Sequence, residues 1–431
     1  MKDQQTTVVE PTLSQAHVLP QGKAVVEYKT DTRQDTIPEI LERTCQHGND
    51  GMAFMAIDLG EPIRRIRKWQ KLLPNVEPFY AIKCNSDHAI LKTLVELDIG
   101  FDCASKEEIS TMLKLGVAPE KIIFANPCKP AAHIQYAARN GVDMMTFDNL
   151  DELYKVKENH PGAKLVLRVL TDDSKSVCRF GLKFGAPAFM TKRLLQTARD
   201  LDIEVIGVSF HVGSGCFDPT SYRDAISVAR RVFNEGAEVG FNFDFLDLGG
   251  GYPGLDGVDG APFEETAVVI RESLDEMFPE GVRFIAEPGR FVVAASGTLA
   301  VSVTSRRTIR PEFKSANPSP DEKASFMYYV NDGVYGSFNC ILFDHAKVEP
   351  KLLQKDGDCL LGQQSESELY DASIWGPTCD SMDCITRTAR LPELNVGDWL
   401  YFENMGAYTI AASSTFNGFP KPILYYTNTE L

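Results

Sequence analysis

The sequence predicts an α/β protein, a (β/α)8 TIM-like barrel followed by a C-terminal β domain. Three observations carry that expectation. Eight short apolar or β-branched runs alternate with segments of helical period between about residues 36 and 291. The pattern then changes to strands and turns without intervening helices. Polar residues and glycines gather at the C-terminal ends of the runs, where a barrel carries its active site.

The runs are Pro78–Lys83, Gly100–Ala104, Lys121–Asn126, Met144–Asp148, Lys164–Val169, Val205–His211, Phe243–Gly251 and Arg283–Arg290. The clearest helical segments between them are His88–Leu97, Lys106–Leu115, Thr191–Leu201 and Ser221–Val239. Pro38–His47 and Glu61–Leu73 look helical before the first run. A doubly wound open sheet would also alternate strands and helices, but eight strands with this spacing favour the barrel. Beyond about residue 291, Thr298–Thr304, Phe326–Val330, Ser373–Gly376 and Asp398–Glu403 read as strands. The expected organisation is therefore residues 1–35 as a tail and a strand (Ala24–Tyr28) joining the β domain, 36–291 as the barrel, and 292–431 as the β domain.

The 431 residues are too many for one simple core, and 43% hydrophobic with 24% charged content is ordinary for a soluble fold. A net charge of −16 is the wrong footprint for nucleic acid or an anionic membrane surface, and it suits a cationic small molecule. The first twenty residues lack an apolar leader, and no stretch reaches the length of a membrane span. Ten scattered cysteines without a CxxC pair read as reduced thiols, giving a cytoplasmic expectation. The seven histidines do not cluster with Cys, Asp or Glu, so no metal site is expected.

Lys83 closes the apolar run PFYAIK. A desolvated amine has a lowered pKa and can form a Schiff base with an aldehyde, although a lysine capping a strand at the surface is the commoner case. Gly249, Gly250 and Gly251 follow an apolar strand, where backbone N–H groups can approach a phosphate; a flexible loop is the plainer alternative. The Glu287–Arg290 segment, with Pro288 and Gly289 between, ends the last run. Glu287 could keep a pyridine nitrogen protonated, and Arg290 could bind the phosphate. His211 could stack on a flat ring and Ser214 could bind phosphate. Asp102 and Arg168 lie on the same rim, either at the cofactor or as an internal ion pair. In the β domain, Cys379 could donate a proton and Asp380 could receive a cationic substrate tail. Asp344 is a second ammonium partner, and Tyr408 a hydrogen-bond donor to phosphate. An inert thiol and a loop carboxylate remain the plain readings of Cys379 and Asp380.

Taken in order, eight segments carry a resemblance that none carries alone: Tyr80–Asn85 (YAIKCN), Gly100–Ser105 (GFDCAS), His211–Gly215 (HVGSG), Leu248–Gly251 (LGGG), Glu287–Phe291 (EPGRF), Tyr329–Gly336 (YVNDGVYG), Trp375–Asp380 (WGPTCD) and Glu403–Tyr408 (ENMGAY). The chain resembles the eukaryotic ornithine decarboxylase family of fold-type III pyridoxal-phosphate enzymes. The resemblance implies an alanine-racemase-like barrel and a head-to-tail homodimer with shared sites. It implies that Lys83, His211, Ser214, Gly251, Glu287, Arg290 and Tyr408 bind the cofactor, and that Cys379 and Asp380 enter the site of the other subunit. Asp344 and Asp380 would hold the distal ammonium of ornithine, with Tyr335 and Phe416 lining the site. Position 343 is Phe where many relatives have Tyr, which removes a hydroxyl close to those carboxylates. Ala131–Tyr154 corresponds to an antizyme-binding element, with Gln135 in place of a lysine. Lysine- or arginine-specific decarboxylases and non-catalytic antizyme-binding regulators are the alternatives.

Overall fold

The computed structural model describes residues 35–430, apart from 47–50, 257, 259, 279, 315–318, 320–322 and 364–366. Eight parallel strands close a barrel: β1 (Val76–Ala81), β2 (Gly100–Cys103), β3 (Ile122–Phe124), β4 (Met144–Phe147), β5 (Lys164–Arg168), β6 (Glu204–Ser209), β7 (Phe245–Asp247) and β8 (Arg283–Ala286). Six of them lie within the runs read from the sequence, while β1 begins two residues before its run and β6 one residue before. Neighbours in sequence are neighbours in space, and β8 returns to β1 through the register Phe284↔Val76. The seven helices between them begin with His88–Glu96 and end with Phe263–Met277, and Gly60–Leu72 precedes β1. Caps drawn from the loop sequences start several of them. Asp87 accepts from Ala89 and Ile90, Ser105 from Glu108, and Asn149 from Glu152.

The run ends were read too long. The strand before Lys83 stops at Ala81, and Lys83 sits in a one-turn 3-10 helix, Ile82–Cys84. Arg290 likewise opens a short helix, Arg290–Val293, rather than ending β8. In both places the chain curls over the barrel mouth after its last ladder bond.

The β domain differs more from expectation. Its spine is the 13-residue strand Gly297–Ile309. The first half pairs with Trp399–Phe402 on one side and with Phe54–Asp58 on the other. The second half pairs with Ser325–Val330, which continues into Tyr370–Trp375 and Cys384–Leu391. Phe54–Asp58 also pairs in parallel with Ile423–Thr427. The stretch 54–58 therefore lies in this sheet and not in the barrel portion expected from residue 36. Helix Ile37–Gln46 goes with it, since Ile40, Leu41 and Cys45 pack with Phe54, Ala300, Leu353 and Trp399. The N-terminal strand expected at Ala24–Tyr28 lies outside the described residues.

Phe54 is fully buried, with its ring 5.5 Å from Trp399 and 5.8 Å from Tyr425. Phe54→Ala is expected to cost about 3–5 kcal/mol through the cavity it leaves. Urea unfolding followed by tryptophan fluorescence, which reads Trp399 directly, measures that loss.

Candidate active site

Side chains of a strand alternate between barrel interior and helix layer. Phe79, Ile123, Met144, Val166, Phe245 and Ile285 pack together as one small cluster filling the interior. Two residues further along, the same parity reaches the C-terminal rim with Arg168 on β5, Asp247 on β7 and Glu287 just past β8. On β2, Gly100 faces the Phe79 ring, 2.5 Å from where a Cβ would stand, so Asp102 takes the rim position above it. A bulky apolar floor thus carries a charged upper layer.

Lys83 meets this layer through an ion pair with Asp102. Its side chain is 42% exposed into the open mouth, while that of Asp102 has no exposure. Asp102 pairs with Lys83 and not with Arg168, whose guanidinium lies over the Phe184 ring at 5.0 Å. The expectation of a depressed lysine pKa is overturned. Burial does push the Lys83 ammonium down, but the carboxylates of Asp102 and Glu287 outweigh it, and the net direction is up. Free of an aldehyde, Lys83 is held as a cation.

Opposite Lys83, Glu287 and Asp247 stand side by side. Burial raises the Glu287 carboxyl well above its ordinary range, and Asp247 and Asp102 push the same way. Burial likewise carries Asp247 up to about 7. Asp247 was not singled out in the sequence, although it shares the inward parity of Arg168 and Glu287 and sits two residues before the glycines. Its Oδ1 accepts the Gly249 N–H at 2.8 Å. The turn that follows demands glycine. Gly249 and Gly251 have φ of +62° and +114°, and a Cβ on Gly249 would stand 2.1 Å from the Phe210 carbonyl oxygen. A Cβ on Gly250 would approach His211 Nε2 to 2.8 Å.

His211 accepts the Gly213 N–H on Nδ1 at 2.9 Å, and its ring meets Phe180 edge-on at 4.9 Å. Burial, then the charges of Arg168 and Lys83, hold its pKa well below the usual value, so the ring is neutral. Arg290 donates to Ser214 Oγ at 3.2 Å and lies over the Tyr408 ring at 5.1 Å. Tyr408 itself adopts φ +55°, and its N–H donates to the Cys84 carbonyl at 2.9 Å, which ties the β domain to the turn carrying Lys83. Pro288 accepts from the Ala81 N–H at 3.2 Å, and a Cβ on Gly289 would touch Cys84 at 3.0 Å. Asp344 is drawn into this group: its Oδ1 accepts from Arg290 at 2.5 Å. That differs from its expected role as an ammonium partner alone, because the nearest strong cation is the guanidinium.

The remaining sequence candidates form a second cluster. Tyr335 donates to Asp380 Oδ2, and its ring lies 4.5 Å from that of Phe416. The Asp380 carboxylate is held below its usual range by the Met382 N–H and this phenol. Cys379 is exposed and donates its N–H to Asn417 Oδ1 at 3.0 Å. Phe343 is 72% exposed. Among the described residues, no hydrogen bond or ion pair joins Cys379 or Asp380 to the Lys83 group. No three His, Cys, Asp or Glu residues among those described are placed to hold a metal ion. None of the described helices is long and apolar enough to cross a membrane.

The family described as "Pyridoxal-dependent decarboxylase, pyridoxal binding domain" matches residues 59–294. A Rattus norvegicus relative named ornithine decarboxylase is 54% identical over 400 residues, which is 91% of this chain and 84% of that protein. A Xenopus laevis relative named antizyme inhibitor 2 is 51% identical over 395 residues, with coverage of 91% and 84%. The solved arginine decarboxylase of Paramecium bursaria Chlorella virus matches with a TM-score of 0.82 at 35% identity, covering 90% of this chain and 100% of that one. The rim residues fit pyridoxal phosphate on their own geometry. The glycine turn is a cradle that any Cβ would fill, and Lys83 supplies an amine. The buried Oδ1 of Asp102 receives no donor within the described chain, and the Asp247–Glu287 pair beside it adds negative charge suited to a protonated ring. Gly249→Ala is expected to weaken pyridoxal-phosphate binding roughly 10- to 100-fold, the equivalent of about 1–3 kcal/mol of backbone strain, in a titration followed by absorbance. By its match over more than half its length and its identity with full-length relatives, the chain belongs to the pyridoxal-dependent decarboxylases.

Proposed function

We propose that the chain converts L-ornithine to putrescine, the first step of polyamine synthesis. The observation that carries this reading is the rim itself, where a lysine amine, a glycine turn with a nearby arginine, and a surplus of buried carboxylates face one mouth. The relatives named ornithine decarboxylase, at 54% identity in the rat, supply the substrate.

In this reading Lys83 would hold the cofactor through its amine, before substrate binds and again after product leaves. Ser214, Gly249, Gly250, Gly251, Gly289, Arg290 and Tyr408 surround its phosphate, with Pro288 shaping that turn. His211, neutral, packs on the ring face. Asp102 and Arg168 set the charge of the rim, and Glu287 lies at the ring nitrogen. When bound, pyridoxal phosphate supplies the electron sink for the pair left on Cα as the bond to CO₂ breaks. Cys379 of the partner subunit then gives its thiol proton to that carbon. Asp380 of the partner subunit takes the larger share of the distal ammonium, because Asp344 already answers to Arg290. Tyr335 and Phe416 line the approach, and Phe343 contributes bulk without a hydroxyl.

Sharing sites in a two-fold dimer explains why Cys379 and Asp380 stand in a cluster of their own. Large exposed apolar side chains support the same assembly: Leu182, Phe189 and Phe217 from segments following barrel strands, and Phe343 and Met382 on the β domain. A cytoplasmic location and control by an antizyme through Ala131–Tyr154 complete the proposal. Gln135 in that segment is bonded to Asn159 at 2.7 Å and offers no charge.

Turnover of ornithine, lysine and arginine by the protein with added pyridoxal phosphate tests the substrate. Ornithine is expected to lead, by roughly 10-fold or more per methylene of mismatch; a preference for lysine or arginine would reassign the substrate. A chain that binds no cofactor and turns over none of the three would instead favour the regulatory role that the Xenopus relative's name suggests. Shared sites have a separate check. Lys83→Ala and Cys379→Ala homodimers should each be nearly inactive, and random mixing of the two should restore roughly a quarter of full activity. Proven subunit exchange without recovery would place each site within one chain.

A further inference from the structure

We propose that Asp247 is a positioning residue for the cofactor, holding the glycine turn with one oxygen and the Glu287 carboxyl with the other. The inference rests on the cofactor site described above and extends it to a residue that no sequence motif marked.

The geometry has two halves. Asp247 ends β7 and is 1% exposed. Its Oδ1 accepts the Gly249 N–H at 2.8 Å, and the Gly249 carbonyl in turn accepts the Glu287 N–H at 2.7 Å. The backbone of the phosphate turn and the backbone of Glu287 are therefore tied through a single buried carboxyl. With both acids ionised, Oδ2 of Asp247 has no donor. The Asp247 and Glu287 side chains are hydrogen-bonded to one another, which requires one proton between them. Two carboxylates in contact within a buried layer cannot both carry charge. The pair thus presents one negative charge: Glu287 holds the proton and donates to Asp247, the acceptor that aims it.

Other charged and titratable groups face this pair from the elements around it. Asp102 and Lys83 stand on the β1–β2 side, Arg168 on β5, and the buried Tyr252 behind. Asp102 adds to the charge that keeps the proton in place, while Arg168 opposes it at Asp247 and Lys83 opposes it at Glu287. None of them bonds both partners. In this arrangement Asp247 acts through Glu287 and Gly249 and not by its own contact with the cofactor.

Asparagine at 247 would still accept from Gly249, and its amide would donate to Glu287 where Asp247 accepts, but it carries no titratable proton. Alanine would lose both contacts. The experiment measures the Kd of the apoprotein for pyridoxal 5′-phosphate and the pH profile of the bound cofactor's absorbance. For Asp247→Asn, Kd is expected within about threefold of wild type; the wild-type absorbance is expected to step near pH 7 as Asp247 titrates, and the Asn variant to lack that step. Asp247→Ala is expected to weaken binding roughly 10- to 100-fold. A merely structural aspartate would leave the profile of the Asn variant unchanged, and that outcome overturns the proposal. Wild-type affinity in Asp247→Ala would also overturn it. If the Ala variant does not fold, the Asn profile alone decides. A wild-type chain that fails to bind pyridoxal phosphate would overturn the cofactor site and the proposal together, which separates the two failures.

Discussion

Buried negative charge at the top of the barrel is the constraint on which the rest of this structure depends. Asp102, Asp247 and Glu287 are all placed inward by strand parity, and burying an uncompensated carboxylate costs several kcal/mol. The fold answers in three ways. Lys83 is drawn across the mouth to Asp102. A proton is retained between Asp247 and Glu287. Backbone N–H groups of the glycine turn face the same space. The answer is incomplete, since the buried Oδ1 of Asp102 still lacks a donor in the described chain. A pyridine ring with a protonated nitrogen completes the account, so the cost of burying the acids becomes affinity for the cofactor.

The same constraint explains why Arg290 is not simply a phosphate ligand in waiting. A guanidinium at the edge of an acidic cavity would swing toward Glu287 if it had no other partner. Asp344 holds it at 2.5 Å, and the Tyr408 ring lies under it. The β domain therefore does more than supply substrate contacts. Through Asp344 and Tyr408 it fixes the Arg290 guanidinium in place beside the barrel rim. Tyr408 reaches that position by accepting a left-handed backbone, a strain of order 1–3 kcal/mol that its N–H bond to Cys84 offsets.

Much of the barrel was legible because each strand lies in a short apolar or β-branched run bounded by turn residues, and because a (β/α)8 barrel pairs neighbours in sequence. The rim residues were legible where a charge interrupts an apolar run, as at Lys83 and Glu287. Phe54–Asp58 was not, because FMAID is buried on every residue and shows no alternation, and its partners are set by the sheet. Cys384–Leu391 was missed for the opposite reason: a largely polar, exposed strand that tertiary pairing alone makes extended. The direction of the Lys83 shift was misjudged because burial was visible in the sequence and the two facing carboxylates were not. Asp247 was passed over because an aspartate beside glycines reads as turn chemistry until its parity places it inside. Asp344 could not be tied to Arg290, since their contact joins two domains.

The long strand Gly297–Ile309 gives the chain a particular order of assembly. Its partner Phe54–Asp58 precedes the barrel in sequence, yet it lies between Gly297–Ile309 and Ile423–Thr427, which follow the barrel. The first strand of the β domain must wait through synthesis of the whole barrel before its ladder can close. Pairings of such long sequence separation carry the loop-closure cost that slows folding. During that wait FMAID is an apolar edge with unmet backbone bonds, open to mispairing. Closure of this sheet joins residues further apart in sequence than closure of the barrel does, so it carries the larger loop-closure cost.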